Sequence, residues 1–192
     1  MTTERKPFPE GGRTWDDLQK DMRERALAAA HQSAGMQAAD GSWVYGTLPH
    51  HGFIDGFHTG YNLEALKMIS DVFGIDDFDT AIEDGFRYYK QTFLTPDGSV
   101  KYYDNSLYPI DMHSIAQAII TLLKVGGTEE DMARAEKIAR WGIDEMYLPA
   151  KKRFRYQKHR FYSNNIDYTR WTQAWSYYSL SLLNRKIIER HQ

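Results

Sequence analysis

The pair Ile-Asp recurs at Ile54-Asp55, Ile110-Asp111 and Ile166-Asp167, and 110 − 54 and 166 − 110 both give 56. A fixed period of that length is the signature of a repeat architecture, in which each unit covers its neighbour's apolar face. The register holds downstream: Leu63, Ile119 and Trp175 align, as do Leu66, Leu122 and Tyr178, and Tyr61, Gln117 and Gln173 share an amphipathic position. Upstream, Asp40-Gly41-Ser42-Trp43-Val44-Tyr45 echoes Asp97-Gly98-Ser99-Val100-Lys101-Tyr102, and Arg153-Phe154-Arg155-Tyr156 is a weaker third copy.

Each unit reads as a Gly/Tyr-rich loop, a helix opening after Ile-Asp, a turn and a second helix. Residues 129–147 place Met132, Ala135, Ile138, Ala139, Gly142, Ile143 and Met146 on one face, the pattern of a helix that packs on one side. Residues 113–125 distribute Ile115, Ala116, Ile119, Ile120, Leu122 and Leu123 around much of the helix, the pattern of an interior position. The same alternation gives inner helices over 57–73 and 168–188, and outer helices over 15–31 and 79–93. The outer stripe in 79–93 is Ile82, Phe86, Tyr89 and Phe93. Gly74, Gly126-Gly127 and Pro149 mark helix ends, and Thr128 with Asp131 forms a capping box. No strand is expected.

Alternating inner and outer helices define an all-α fold, a partial α/α toroid of repeated helical hairpins, about half a ring because closure needs about twice the hairpins seen here. Residues 1–13 read as an N-terminal tail and 14–192 as one helical domain with inner helices starting near 55, 111 and 167. The 24 basic and 26 acidic side chains nearly cancel, which argues against nucleic acid as a partner. The absence of cysteine excludes thiolate chemistry and disulfides. No stretch approaches the ~20 apolar residues of a membrane span, so a cytoplasmic protein is expected.

Three segments precede the inner helices and converge at one end if those helices pack side by side. They bring Asp55, His58, Asp111, His113, Asp167 and Arg170 as candidate catalytic groups. Each aspartate is either an N-cap, accepting an orphan backbone N–H, or one of an acid–base pair whose pKa values the surroundings push apart. His58 and His113 sit in a first turn, where the positive helix end favours neutral imidazole. Arg170 suits bidentate capture of a carboxylate or phosphate.

Trp43, Tyr45, Tyr61, Tyr102, Tyr103, Tyr108, Tyr156 and Trp171 are either stacking platforms for sugar rings or packing between loops; Gln117, His159 and Arg160 add polar contacts. No metal site is expected, since no His-x-x-x-His or Glu-x-x-His pair occurs on one helix. Cofactors are not expected either, because no phosphate loop, dinucleotide fingerprint or nucleophile elbow is present.

The strings Asp40 to Gly46, Ile54-Asp55-Gly56-Phe57-His58-Thr59-Gly60-Tyr61-Asn62-Leu63, Tyr108 to Gln117, Tyr156 to Tyr162 and Arg170 to Trp175 resemble a bacterial and archaeal family of α/α-toroid proteins. Members of that family often accompany polysaccharide-synthesis genes. The resemblance covers about Asp40 to Leu183 and implies a six-hairpin-glycosidase or terpenoid-cyclase-like toroid. Typical members are about twice as long, with further hairpins before the Asp-Gly-Ser-Trp segment.

The leading expectation is a carbohydrate-active or glycan-binding protein of polysaccharide metabolism that cleaves or epimerises a glycan by acid–base chemistry. The alternative is a non-catalytic half-toroid scaffold or subunit in a polysaccharide-assembly complex. Terpenoid cyclisation ranks third, because its Asp-x-Asp-Asp run is absent and Asp76-Asp77 falls in a turn away from the loop end. The expected partners are an oligosaccharide and either a second copy or a complementary toroid half.

Overall fold

The computed structural model describes residues 14–192; the tail assigned to 1–13 lies outside the described residues. Six α-helices dominate: α1 (Trp15–Gly35), α2 (Gly56–Phe73), α3 (Asp79–Thr92), α4 (Met112–Thr121), α5 (Glu129–Met146) and α6 (Ala174–Arg190). The inner helices α2, α4 and α6 lie side by side with α4 in the middle, and α1, α3 and α5 back them from outside. The chain is thus all-α and forms three outer–inner hairpins of an α/α toroid.

Burial follows the sequence pattern closely. Every residue of α4 is buried, because α2, α5 and α6 all pack on it. On α3 the stripe Ile82, Tyr89 and Phe93 is buried and Phe86 packs against it. On α5, Ala135, Ile138, Ala139, Gly142 and Met146 are buried, but Ile143, placed on the same face by periodicity, is exposed. Capping explains the helix starts. Thr14 with Asp17 and Thr128 with Asp131 form reciprocal capping boxes on α1 and α5. Gly74 ends α2 in a left-handed conformation, φ 62°.

The echo at Asp40 and Asp97 is a shared turn: Oδ1 of each aspartate accepts the backbone N–H of Ser42 (3.0 Å) or Ser99 (3.1 Å). The intervening Gly41 and Gly98 take φ of 92° and 100°. The turns deliver Trp43 and Val100 into the core.

Strands do occur, contrary to expectation, as five two-residue pieces: β1 (Ile110–Asp111), β2 (Tyr147–Leu148), β3 (Arg153–Phe154), β4 (Gln157–Lys158) and β5 (Ser163–Asn164). They pair antiparallel in the orders β1-β4-β5 and β2-β3. Their cause is tertiary. The backbone entering an inner helix is extended and pairs with the loop of the following unit, as Ile110 and Asp111 pair with Lys158 and Gln157, and Asp55 with Tyr103. No two-residue periodicity announces a pairing this short.

Candidate functional site

Asp55 and Asp111 cap α2 and α4. Asp55 Oδ1 accepts the backbone N–H of His58 at 2.8 Å, and His58 Nδ1 donates to Asp55 Oδ2 at 2.7 Å. Asp111 Oδ1 accepts the His113 backbone N–H at 2.7 Å, while Gln157 Nε2 donates to Oδ2 at 2.9 Å. Both carboxylates are buried. Burial pushes Asp111 up to about 6, against the opposing pull of the His113 N–H, Gln157 and the Ser114 N–H and Tyr156. Tyr156, beside it, is pushed up to about 12 by burial and by the Asp111 charge.

His113 is buried, and its Nε2 shares a 2.6 Å hydrogen bond with the Tyr61 hydroxyl. Desolvation, followed by the nearby His58, lowers it to about 3, so the ring is neutral through the physiological range. Trp171 meets His113 edge-on at 3.9 Å between centroids, and Phe57 sits at 4.9 Å from His113 and 5.6 Å from Trp171. Tyr102 packs on Phe57 at 5.3 Å, and its hydroxyl is held above the usual phenol range by burial and then by the charges of Tyr103, Asp55 and Asp111. Tyr45 stacks on Phe53 at 4.7 Å and meets His58 at 4.6 Å. The first turns of α2 and α4 and the start of the third inner segment therefore meet in one aromatic, imidazole- and carboxylate-bearing cluster.

The remaining candidates are placed differently. Asp167 is not a cap: the third inner segment opens as a π-type turn, Thr169–Gln173, with Tyr168 at the cap position. Its exposed carboxylate instead lies 3.6 Å from the Arg153 guanidinium. Asp55 and Asp111 are each held under the loop of a following unit, whereas Asp167 is exposed. Arg170 is exposed on that turn. His159 stacks on Tyr162 at 4.2 Å and Arg160 lies over Phe161 at 5.2 Å, both at the β4–β5 hairpin tip.

Trp43 is a core residue whose indole N–H donates to the Ser33 carbonyl at 2.9 Å, so no open face remains for stacking. Tyr103 packs edge-on against Phe53 at 5.7 Å, and Tyr108 packs on the core. Gln117 is buried within α4 and donates to Glu64 and to Thr121 Oγ1. Among the described residues, no three His, Asp or Glu side chains are placed to hold a metal ion.

Sequence reasoning passed over Phe57, Gln157 and Trp175. Phe57 stands in the same repeat register as His113, which would have selected it. Trp175, which the repeat aligns with the apolar Leu63 and Ile119, lies 4.9 Å from His113 and 5.6 Å from Tyr61. Gln157 carries no local signal, since only tertiary pairing brings it onto Asp111.

Outer and inner helices that alternate in this way define an α/α-toroid fold. Two solved structures share it. One is unsaturated glucuronyl hydrolase from Bacillus sp. GL1, described as responsible for the degradation of glycosaminoglycan, at TM-score 0.61 and 16% identity. The other is a UGL variant with dGlcA-Glc-Rha-Glc, at TM-score 0.62 and 16% identity. Each alignment covers 89% of this chain and 54% of the other, so the chain spans about half the length of the structures it matches. No protein-family model and no curated protein matches the sequence. No helix among the described residues is long and apolar enough to cross a membrane.

Proposed function

We propose that this chain processes a glycan at the loop end of its inner helices by acid–base chemistry, and that it works in the cytoplasm within polysaccharide metabolism. The observation that carries this is the unequal pair of carboxylates on adjacent inner helices. Asp111 titrates near 6 and is available as a proton donor near neutral pH, whereas Asp55 faces the His58 ring and backbone as an acceptor.

In hydrolysis, Asp111 gives its proton to the departing glycosidic oxygen, and the sugar–oxygen bond breaks. Asp55 takes a proton from the attacking water, whose oxygen bonds to the sugar carbon. Trp171, 38% exposed beside His113, offers an apolar face for a sugar ring. Access to Asp111 requires Gln157 to yield its hydrogen bond to a ligand hydroxyl. Glycan names attached to the structural neighbours support the substrate class. A partner that completes the ring, a second copy or a complementary half, belongs to the same reading.

The scaffold alternative rests on a specific observation: both carboxylates are buried and already satisfied as helix caps. A panel of acidic and neutral oligosaccharides separates the two. Expected are release of new reducing ends, a loss of about 10²–10⁴-fold in Asp111→Asn, and tryptophan quenching that disappears in Trp171→Phe. No cleavage and no quenching across the panel would establish the scaffold reading.

A further inference from the structure

His113 lies at the centre of the loop-end cluster, yet its surroundings suit it poorly to moving protons. The residue is fully buried, Trp171 and Trp175 close on the ring at 3.9 and 4.9 Å between centroids, and Nδ1 has no hydrogen-bond partner among the described residues. Its polar contact is through Nε2, 2.6 Å from the Tyr61 hydroxyl. Tyr61 comes from α2, six residues after Asp55. A long helical side chain leans back toward the helix N-terminus, which carries the hydroxyl up to the first turn of α4.

A neutral imidazole has one N–H to place. On Nδ1 that N–H is buried without an acceptor, and the single Tyr61 proton is spent on Nε2. On Nε2 it donates to the Tyr61 oxygen, and only the Nδ1 lone pair goes unused. Buried N–H groups without an acceptor are rarer in folded proteins than acceptors left unused, so the second arrangement is favoured. Tyr61 then keeps its own proton for a partner outside the pair.

The space for that partner is a groove of about 510 Å³ between α2, the turn after α4 and the first turn of α6, bounded by Tyr61, Glu64, Lys124 and Trp175. Its charges are matched within the chain: Glu64 pairs with Lys124 at 3.0 Å, and Lys67 pairs with Asp71. Burial, and then the charges of Glu64 and Asp55, hold the Tyr61 phenol above its usual range, so it stays protonated. The same two carboxylates disfavour an anion at the hydroxyl.

We propose that Tyr61, aimed by His113, is a specificity-determining hydrogen-bond donor to an uncharged oxygen, a sugar hydroxyl or ring oxygen, of a unit lying in this groove against Trp175. His113 is then a positioning residue and takes no proton from the ligand. The ligand rests on the glycan reading above, whereas the direction of the Tyr61–His113 hydrogen bond is a property of the free protein.

Nitrogen-15 NMR of the histidine-labelled wild-type chain at neutral pH should find the His113 proton on Nε2. A proton on Nδ1 overturns the proposal, because Tyr61 is then the donor to His113 and has none left to give. The oligosaccharide panel, run as neutral chains and as the same chains with their C6 hydroxyls oxidised to carboxylates, tests the ligand. Tyr61→Phe should weaken use of the neutral chains by about 3–10-fold, the loss of one hydrogen bond. That loss should fall on KM rather than kcat, with the pH profile of kcat keeping its shape. A loss in kcat alone, no loss at all, or a preference of the wild-type chain for the oxidised forms overturns the proposal and leaves the glycan reading in place. No binding or cleavage anywhere in the panel overturns both.

Discussion

Asp111 combines two roles that pull in opposite directions. As an N-cap it accepts hydrogen bonds that favour the carboxylate, yet complete burial by β4 and the Tyr156 ring penalises the charge more, and the balance lies near 6. The folded value therefore lies above the ordinary 3.8, and the folded chain binds the proton more tightly than the unfolded one. That contribution to stability is fully present below 3.8 and is lost as pH rises through about 6. His113 acts oppositely in sign: lowered from 6.5 to about 3, it binds protons less tightly when folded and costs stability as pH falls through that window.

Urea midpoints measured between pH 4 and pH 7 should accordingly show Asp111→Asn gaining on the wild-type chain as pH rises. If the gap between them does not change with pH, the buried acid is not the titrating group. Sequence showed both aspartates as caps or acids and left the choice open. Their burial, which sets the balance, comes from residues 46 positions away in sequence such as Gln157.

Among elements, α2 meets α4 closely at Gly60. A Cβ there would sit 2.7 Å from Thr121 Oγ1 and 2.8 Å from Gln117 Cγ, and both partners are fully buried, so neither can swing aside. Gly60→Ala should cost about 1–3 kcal/mol in urea unfolding despite alanine's better helix propensity. Gly35→Ala, with nothing within 4 Å at the end of α1, should be neutral or mildly stabilising. Equal midpoints for the two variants would show that the helices separate easily. Helix kinds and most boundaries were legible, because a one-sided stripe and an all-round apolar surface differ in period and spread. The β1–β4–β5 ladder and the π-type turn at Thr169–Gln173 were not, since both arise where a loop must reach a neighbour.

For the molecule as a whole, stability should grade outward from α4. It is buried at every residue, whereas α1 buries only Ala30. Amide hydrogen exchange should find the α4 protons slowest, opening only with global unfolding, and those of α1 among the fastest of the helices. Protection of α1 equal to that of α4 would mean the arc is evenly stable.

The 56-residue period and the apolar patterns by themselves determined that the chain is all-α, that inner and outer helices alternate, and that Asp55 and Asp111 stand at helix starts, because these depend on local periodicity and capping. Which carboxylates are covered, that Asp167 leaves the register to face Arg153, and that Trp43 is core were decided only by tertiary structure. Desolvation depends on which loop lies over a side chain, and that contact is made between residues far apart in sequence.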